Sequence, residues 1–260
     1  YAPDVVADLN SAVWDAIRVN GKLYGIPLQQ IYVRQTGIRF NTELLNKYGF
    51  DPSTVKTLDD LDEYAATIKA SEPDAVVIYN YGHLIYENMV NYLGYDVIVS
   101  NTTPGVVYYA AETPVVFNQF ESEEFKALCE KMREWNLASY FPTDAVTGAD
   151  SVGENDIRAI DTDPAHKPGG DITEGQLRGY DITGIAFGDC AMTTGAVQAT
   201  ITAVSATSKN VERAVAFINL LDSDPEVLNL ICHGIEGTDY EFVGDKADGL
   251  ITVSYTHLRA

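Results

Sequence analysis

Short strands rich in β-branched residues alternate with amphipathic helices along the chain, and this alternation is what most restricts the fold. Apolar residues recur at helical intervals after capping residues Thr57, Ser122 and Asn210, and Asp224-Pro225 begins a further helix with proline at its favoured first position. Strands are predicted between turn-forming residues, at 33–40, 75–79, 114–117, 182–187 and 199–206. Alternating helices and strands predict an α/β fold with covered sheets.

One segment interrupts this alternation. Residues 142–179 are rich in glycine, aspartate and proline and have little periodicity, so we expect a long functional loop or the edge of a lobe. The Asp161-Thr162-Asp163 and Asp222-Ser223-Asp224 triplets lack the glycine-containing loop and distal glutamate of an EF-hand. We interpret both triplets as turn or helix-cap residues, and no metal site is predicted.

The charge of the chain excludes several classes of partner. Seventeen Lys and Arg against 38 Asp and Glu give a net charge of −21 without a basic stripe, which argues against nucleic acid and anionic membrane surfaces. No apolar run reaches the roughly 18 residues of a membrane span. Cys129, Cys190 and Cys232 lie far apart without metal-ligand spacing and are interpreted as small buried hydrophobic residues, although a disulfide between two of them stays open.

The common catalytic motifs are absent from the sequence. There is no G-x-S-x-G, H-E-x-x-H, G-x-x-x-x-G-K-[ST] or G-x-G-x-x-G, and none of the four histidines has a partner predicted by spacing. With 38 acidic residues, some pair will always fall at the distance a glycoside hydrolase uses, so such pairs are uninformative. We therefore expect a protein without enzymatic activity, catalytic residues or cofactor.

Tyrosines cluster with amide side chains in two segments, 29–34 and 79–92. Sugars present apolar C–H faces ringed by hydroxyls, so their sites combine aromatic rings with planar hydrogen-bonding groups. These clusters fit that ligand class, although each single tyrosine fits equally well as an ordinary boundary residue with a buried ring. Trp14 and Trp135 lie at apolar helical spacings and are predicted to be core residues.

Motifs spread over nearly the whole chain resemble the extracellular solute-binding proteins of ABC importers. In the first half they are residues 20–27 (NGKLYGIP), 43–50 (ELLNKYGF) and 57–61 (TLDDL). In the second half they are residues 178–181 (RGYD), 207–210 (TSKN) and 234–240 (GIEGTDY). The second set is similar to a lipoprotein subgroup of the carbohydrate-type family 1 proteins of Gram-positive bacteria.

This resemblance implies a two-lobed, type II periplasmic-binding-protein-like α/β fold, in which the ligand is captured in an interlobe cleft by hinge closure. Lobe II would span 34–198. Lobe I would comprise 1–33 and 199–253 and be incomplete, with its first β-α units, the signal peptide and the lipid-bearing cysteine lying upstream of an N-terminally truncated fragment. Residues 254–260 resemble a translated adaptor sequence and are interpreted as a non-native tail.

The resemblance also implies ligand-binding positions. Segments after the Gly-Ile-Pro turn contact the ligand in relatives, and here these positions are Gln29, Gln30, Tyr32 and Arg34. Arg34 stands where maltose-binding relatives carry an acid, which admits a ligand with a carboxylate.

Two further pairs complete the predicted contacts. Tyr81 and Tyr86 match an aromatic wall in relatives, and Thr193 and Thr194 precede the return crossing between the lobes, where their hydroxyls could contact a ligand.

The predicted function is the extracytoplasmic substrate-binding component of an ABC importer, specific for an oligosaccharide or related polar small molecule. Its partners would be the transmembrane permease subunits, and it would be a monomeric cell-surface lipoprotein on the outer face of the cytoplasmic membrane. Two alternatives stay open: a carbohydrate-active enzyme such as a glycoside hydrolase, distinguished by turnover, and a receptor on the same fold that binds extended peptides.

Overall fold

The computed structural model describes residues 1–28, 32–79, 92–142, 156–246, 249 and 251–253. Its α-helices are α1 (Pro3–Asp8), α2 (Ser11–Ala16), α3 (Thr42–Tyr48), α4 (Asp62–Ser71), α5 (Glu123–Leu137), α6 (Gly170–Arg178), α7 (Thr194–Val197), α8 (Val211–Ser223) and α9 (Pro225–His233). Its strands are β1 (Ile26–Pro27), β2 (Val33–Arg34), β3 (Gly37–Asn41), β4 (Val76–Tyr79), β5 (Tyr95–Val97), β6 (Gly105–Tyr108), β7 (Phe117–Asn118), β8 (Arg158–Asp163), β9 (Ile182–Ala186), β10 (Ala191–Met192), β11 (Ile201–Thr202), β12 (Tyr240–Phe242) and β13 (Ile251–Val253).

The chain divides into two compact units. Unit 1 is Tyr1–Gln30 with Val197–Ala260, and unit 2 is Ile31–Ala196. The assignment of these units to the incomplete lobe I and to lobe II stays a prediction.

The helices predicted from capping residues are present. The Ser122 hydroxyl accepts from the Phe125 N–H at 3.2 Å to begin α5, and the Asp224 carboxylate accepts from the Glu226 N–H at 2.9 Å to begin α9. The helix predicted at Thr57 starts as a 3₁₀ turn over Leu58–Leu61 and continues as α4. Asn210 precedes α8, but its side chain makes no capping hydrogen bond, so α8 begins without the predicted cap.

Unit 2 is built around a four-stranded sheet in the order β4-β8-β3-β9, in which β4 and β8 are parallel and the other pairs antiparallel. Its apolar face carries Ile78, Ile160 and Phe40 in one row across three strands. These residues pack with the buried faces of α3, α4 and α5 in a single hydrophobic core, to which Trp135 belongs as predicted. Each large side chain buried there contributes about 1.5–3 kcal/mol.

The opposite face of this sheet is ionic. Asp161 of β8 lies in register with Tyr79 of β4 and Arg39 of β3, and α6 covers this row with two charged side chains. Arg178 Nη2 donates to Asp161 Oδ2 at 2.8 Å, and Arg39 Nη2 donates to Asp163 Oδ1 at 3.0 Å. We call this cluster the ionic layer; its members are Arg39, Arg158, Asp161, Asp163, Glu174 and Arg178.

The environment of Asp161 is the least favourable for a charge within the ionic layer. Burial raises the pKa of the Asp161 carboxyl group to about 6, and the opposing attraction of the arginines is not sufficient to restore its ordinary value. The Arg158 guanidinium lies over the Tyr79 ring, 3.5 Å from the ring centroid.

These elements overturn two interpretations made from the sequence. Strand β8 and helix α6 lie within residues 142–179, where we expected a long functional loop or the edge of a lobe, so the loop was wrong for the described part of the segment and the edge of a lobe stays a prediction. Asp161 lies inside β8 and pairs with Arg178, so the turn or cap interpretation was wrong for this residue. Asp163 ends β8, and its Oδ1 accepts both from Arg39 and from the Ala165 N–H of the turn that follows, as a turn residue does. Helix α6 also has an inverted arrangement: its charged residues face the sheet, and Ile172 and Leu177 are 62% and 71% exposed.

A glycine is required where the sheet approaches His166. A Cβ atom at Gly37 would lie 2.7 Å from the His166 Cβ and 2.9 Å from the Ile185 carbonyl oxygen. The Gly184 Cβ would lie 3.1 Å from His166 Cε1. The two glycines therefore leave space for the imidazole, whose Nδ1 lies 3.3 Å from Asp163 Oδ2.

A smaller antiparallel sheet, β5-β6-β7, forms a separate part of unit 2. Tyr95 and Val106 are fully buried on one of its faces, and the Tyr95 hydroxyl donates to the Ser122 hydroxyl at 2.7 Å. From the sequence we predicted one strand in this region, at 114–117, and not β5 or β6. Ile98 and Val116, beside Gly105, are 55% and 61% exposed.

In unit 1, Asn219 of α8 joins the helix to α1, because its side-chain oxygen accepts from the Asp4 and Val5 N–H groups at 3.0 and 3.2 Å. Strands β1 and β11 pair antiparallel with Ile26 opposite Thr202, so the predicted 199–206 strand is shorter than expected. Trp14 of α2 is buried, as predicted.

All three cysteines are free and exposed. The interpretation of Cys129, Cys190 and Cys232 as buried hydrophobic residues was therefore wrong. For Cys129 the reason is its position on α5. Leu128 and Trp135 form the buried stripe of this helix, and Cys129 lies at the margin of the stripe. Within the part of the chain that the structure describes, no helix is both long and apolar enough to cross a membrane.

We predict that Asp161→Asn removes one component of the pH dependence of stability. Because the folded pKa is raised to about 6 from the ordinary 3.8, the folded state holds this proton longer than the unfolded state, and stability from this group falls as the pH rises from about 4 to about 6. The free-energy difference between the wild type and the variant should decline over that range by up to about 3 kcal/mol. Urea denaturation at a series of pH values measures it, with the exposed Asp74→Asn as control, and parallel pH profiles would contradict the prediction.

We predict that Gly37→Ala lowers the free energy of unfolding by about 1–3 kcal/mol, because the added methyl group overlaps His166 and a backbone carbonyl. Gly170→Ala, at the first residue of α6, is the matched control, since its Cβ would make only an ordinary 3.6 Å contact with the Lys167 side chain. It should be neutral or stabilising by up to about 1 kcal/mol. Equal stability of the two variants in chemical denaturation would show that His166 does not need the space.

Candidate functional site

The sequence-predicted ligand residues that the structure describes meet at a two-stranded ribbon in unit 2, formed by β2 and β10. In this antiparallel pair Arg34 lies opposite Ala191, and Val33 lies opposite Met192. Tyr32 immediately precedes β2, and Thr193 immediately follows β10. We call this feature, with Tyr32 and Thr193-Thr194, the β2–β10 ribbon.

The segments on both sides of the ribbon are held by specific contacts. Gln35 Nε2 donates to the Gly188 carbonyl oxygen at 2.8 Å, and the Cys190 thiol lies 3.7 Å from Gln35 Oε1. The Phe187 N–H donates to the Thr36 carbonyl oxygen at 2.7 Å. These bonds tie the segment before β10 to the segment after β2, so the ribbon has little freedom to change register.

Aromatic residues support the same segment from the side. The Tyr92 ring stacks on the Phe187 ring with centroids 4.6 Å apart. Burial raises the pKa of the Tyr109 hydroxyl, and the neighbouring Asp189 carboxylate raises it further. Contacts within the protein thus pack the residues that lead into β10, independently of any ligand.

Thr193 and Thr194 have different roles. Thr193 is buried, and its hydroxyl oxygen accepts from the Ala196 N–H at 3.2 Å, so this oxygen caps the short helix α7. Thr194 is exposed, and both its N–H and its hydroxyl donate to Asp96 Oδ2 at 3.2 Å. Asp96 Oδ1 is buried and has no hydrogen-bond partner among the residues of the described ranges.

The eight predicted contacts are therefore only partly placed. Tyr32 is half-buried beside the ribbon, and the structure describes the backbone of Arg34 but not its side chain. The other four, Gln29, Gln30, Tyr81 and Tyr86, lie outside the described residues. The ligand-binding role of all eight stays a prediction.

Sequence reasoning missed Asp96 and Gln35. A signal for Asp96 existed, because it is followed by three consecutive β-branched residues, Val97 to Val99, a composition typical of a strand. The pairing of Asp96 with Thr194, 98 residues away, had no local signal. Gln35 lies within the predicted 33–40 strand, but its hydrogen bond with Gly188, 153 residues away, had no local signal.

The ribbon offers the groups that bind a polar, hydroxyl-rich molecule. Thr194 and Asp96 supply hydroxyl and carboxylate groups, and Tyr32 supplies a phenol. Val33 and Met192 form an exposed apolar cross-strand pair, 42% and 43% accessible. Among the residues that the structure describes, no group of three His, Cys, Asp or Glu side chains could hold a metal ion.

Comparison with known proteins identifies solute-binding proteins as relatives. No protein-family profile matches the chain. A carbohydrate ABC transporter substrate-binding protein of Streptococcus pneumoniae serotype 4 (strain ATCC BAA-334 / TIGR4) is 28% identical over 247 residues, covering 94% of this chain and 49% of that protein. The chain therefore spans about half the length of the curated relative that it matches.

Solved structures agree with this relationship. The crystal structure of the N-glycan transport solute-binding protein NgtS from Streptococcus pneumoniae is 26% identical, with a TM-score of 0.83 over 97% of this chain and 55% of that one. NgtS in complex with Man1GlcNAc is also similar, with a TM-score of 0.74. The alginate-binding protein AlgQ2, 16% identical with a TM-score of 0.62, shares the fold. The chain thus has the α/β fold of periplasmic-type solute-binding proteins over about half the length of those chains.

We predict that the Thr194–Asp96 contact stabilises unit 2. Thr194→Val removes the hydroxyl donor but keeps the backbone donor, and Asp96→Ala removes the acceptor. A double-mutant cycle in chemical denaturation should give a coupling free energy of about 0.5–1.5 kcal/mol. Pairing Asp96→Ala with Thr67→Val on α4 is the control and should give none, and a coupling of zero for Thr194 would show that this contact does not hold the ribbon.

Proposed function

We propose that this protein is the substrate-binding component of an ABC importer and that its ligand is an oligosaccharide. The observation that carries the proposal is the similarity to the pneumococcal carbohydrate-binding component over 94% of this chain, together with the structural match to NgtS. The β2–β10 ribbon supports it, because hydroxyl, carboxylate and phenol groups are what a neutral sugar needs from its site.

We propose, more specifically, mannose- and N-acetylglucosamine-containing oligosaccharides as the ligand class. NgtS structures hold Man1GlcNAc and Man5GlcNAc, and this chain is 26% and 25% identical to them. The exposed Val33–Met192 pair beside Thr194 offers an apolar surface next to polar groups, which matches the alternating C–H faces and hydroxyls of a sugar chain.

The remaining parts of the proposal follow from this role. The protein would bind its ligand without turning it over, act extracytoplasmically as a monomer, and deliver the ligand to transmembrane permease subunits. A lipid anchor would hold it at the outer face of the cytoplasmic membrane. The relatives named above are substrate-binding proteins, which supports a binding rather than an enzymatic role.

Isothermal titration of the chain with Man5GlcNAc tests the proposal. Maltose oligosaccharides, an oligouronate and an extended peptide are the comparison ligands, and chromatography of the recovered glycan tests for turnover. We expect binding of Man5GlcNAc with the glycan recovered intact. Binding of the peptide alone would contradict the ligand class, and cleavage of the glycan would identify an enzyme.

We predict that Arg34→Ala weakens ligand binding by about 1.5–3 kcal/mol, the scale of a hydrogen bond to a charged group, or about 10- to 150-fold in Kd. The basis is the position of Arg34 in the β2–β10 ribbon, beside Tyr32 and opposite Ala191. Arg133→Ala, an exposed arginine on α5, is the matched control and should bind normally. Unchanged affinity with folded Arg34→Ala protein, verified by circular dichroism, would exclude Arg34 as a contact.

A further inference from the structure

A small cavity lies within unit 2 beside the ionic layer, and it shares no lining residue with the β2–β10 ribbon. Its volume is about 10 Å³, roughly the space that one water molecule occupies. The polar residues around it come from two strands, β3 and β8, from helix α6 and from the turn that follows this helix. The lining residues are Arg39, Phe40, Asn41, Arg158, Asp161, Arg178, Tyr180 and Ile182.

Three guanidinium N–H groups around this cavity have no acceptor. Arg39 Nε, Arg158 Nε and Arg178 Nη1 are buried, and none has a hydrogen-bond partner within the described ranges. The three side chains are 17%, 11% and 10% exposed, so solvent does not satisfy these donors. Leaving a buried charged donor unpaired is costly, and three donors beside one cavity point to an occupant that accepts hydrogen bonds.

The acceptor oxygens of Tyr180 and Asn41 near the cavity are already engaged, and so are two of the Arg178 nitrogens. Arg178 uses its Nη2 for Asp161 at 2.8 Å and its Nε for Glu174 at 2.7 Å. The Tyr180 hydroxyl oxygen accepts from the Arg158 backbone N–H at 3.3 Å, which leaves the hydroxyl proton to donate. Asn41 Oδ1 accepts from the Leu44 N–H at 3.0 Å as the cap of α3. Donors therefore exceed free acceptors around the cavity.

When Asp161 is protonated, the charge balance of the ionic layer favours an anion over a neutral occupant. The ionic layer contains three guanidinium groups and the carboxyl groups of Asp161, Asp163 and Glu174. Burial raises the pKa of Asp161 to about 6, so near that pH a large fraction of molecules have three guanidinium charges facing two carboxylates. One negative charge in the cavity would restore neutrality.

We propose that this cavity binds one monatomic anion of the chloride class, coordinated by N–H groups of Arg39, Arg158 and Arg178. The cavity is sized for one small occupant, and it excludes polyatomic anions such as sulfate or gluconate. The bound anion links β3, β8 and the end of α6, three elements that are far apart in sequence. The proposal is independent of the oligosaccharide-binding function.

Crystallography with bromide in place of chloride tests the site directly. Crystals of the wild-type chain grown at about pH 6 in sodium bromide should give an anomalous difference peak in the cavity, within about 3.5 Å of the guanidinium nitrogens. Density without an anomalous signal would mean that the cavity holds a water molecule only, and this result would overturn the proposal.

Thermal denaturation provides a second, solution test. Sodium chloride should raise the Tm of the wild type above its value in sodium gluconate of equal ionic strength, with a saturating dependence on concentration, because a ligand that binds only the folded state stabilises it. In Arg158→Met, which keeps the apolar stem but lacks the donors, the difference between chloride and gluconate should disappear. The exposed Arg133→Met is the control and should keep it. Equal Tm values in the two salts for the wild type would contradict the proposal.

Discussion

The burial of three guanidinium groups and their carboxylate partners against one face of the β4-β8-β3-β9 sheet is the constraint on which unit 2 depends. Strand β3 must serve two environments, with Phe40 in the hydrophobic core and Arg39 in the ionic layer. Because Asp161 is 8% exposed and surrounded by arginines, removing a single partner would leave an uncompensated buried charge. The ionic layer thus fixes which residues can occupy both sides of the sheet.

The ionic layer also explains which helices and strands could be predicted from the sequence and which could not. Helices α5 and α9 could be predicted because Ser122 and Asp224 cap them locally and their apolar spacing is regular. Strand β8 and helix α6 could not, because the inward-facing residues of α6 are charged and are neutralised only by tertiary contacts. Hydrophobic periodicity detects a buried face only when that face is apolar.

The candidate site shows the same division between local and distant signals. Tyr32, Arg34, Thr193 and Thr194 were selected from motifs, and the register of β2 with β10 is a tertiary fact that brings their backbone positions together. Asp96 was missed because its role depends on Thr194, which is distant in sequence but adjacent in the fold. The hydroxyl oxygen of Thr193 caps α7, and its contact with a ligand stays a prediction. Backbone requirements thus compete with ligands for the same polar atoms.

The order of the strands in the sheet has a consequence for folding during synthesis. Strand β3 pairs with β8 and β9. The hydrogen bond between the hydroxyls of Thr42, which follows β3, and Thr183, which lies in β9, joins residues 141 positions apart in the sequence. The sheet therefore cannot be completed until residues near 186 have left the ribosome, and the two edges of β3 lack their partner strands until β8 and β9 have emerged. Because these pairings join distant positions, we expect loop-closure entropy to make completion of the sheet a late step of folding.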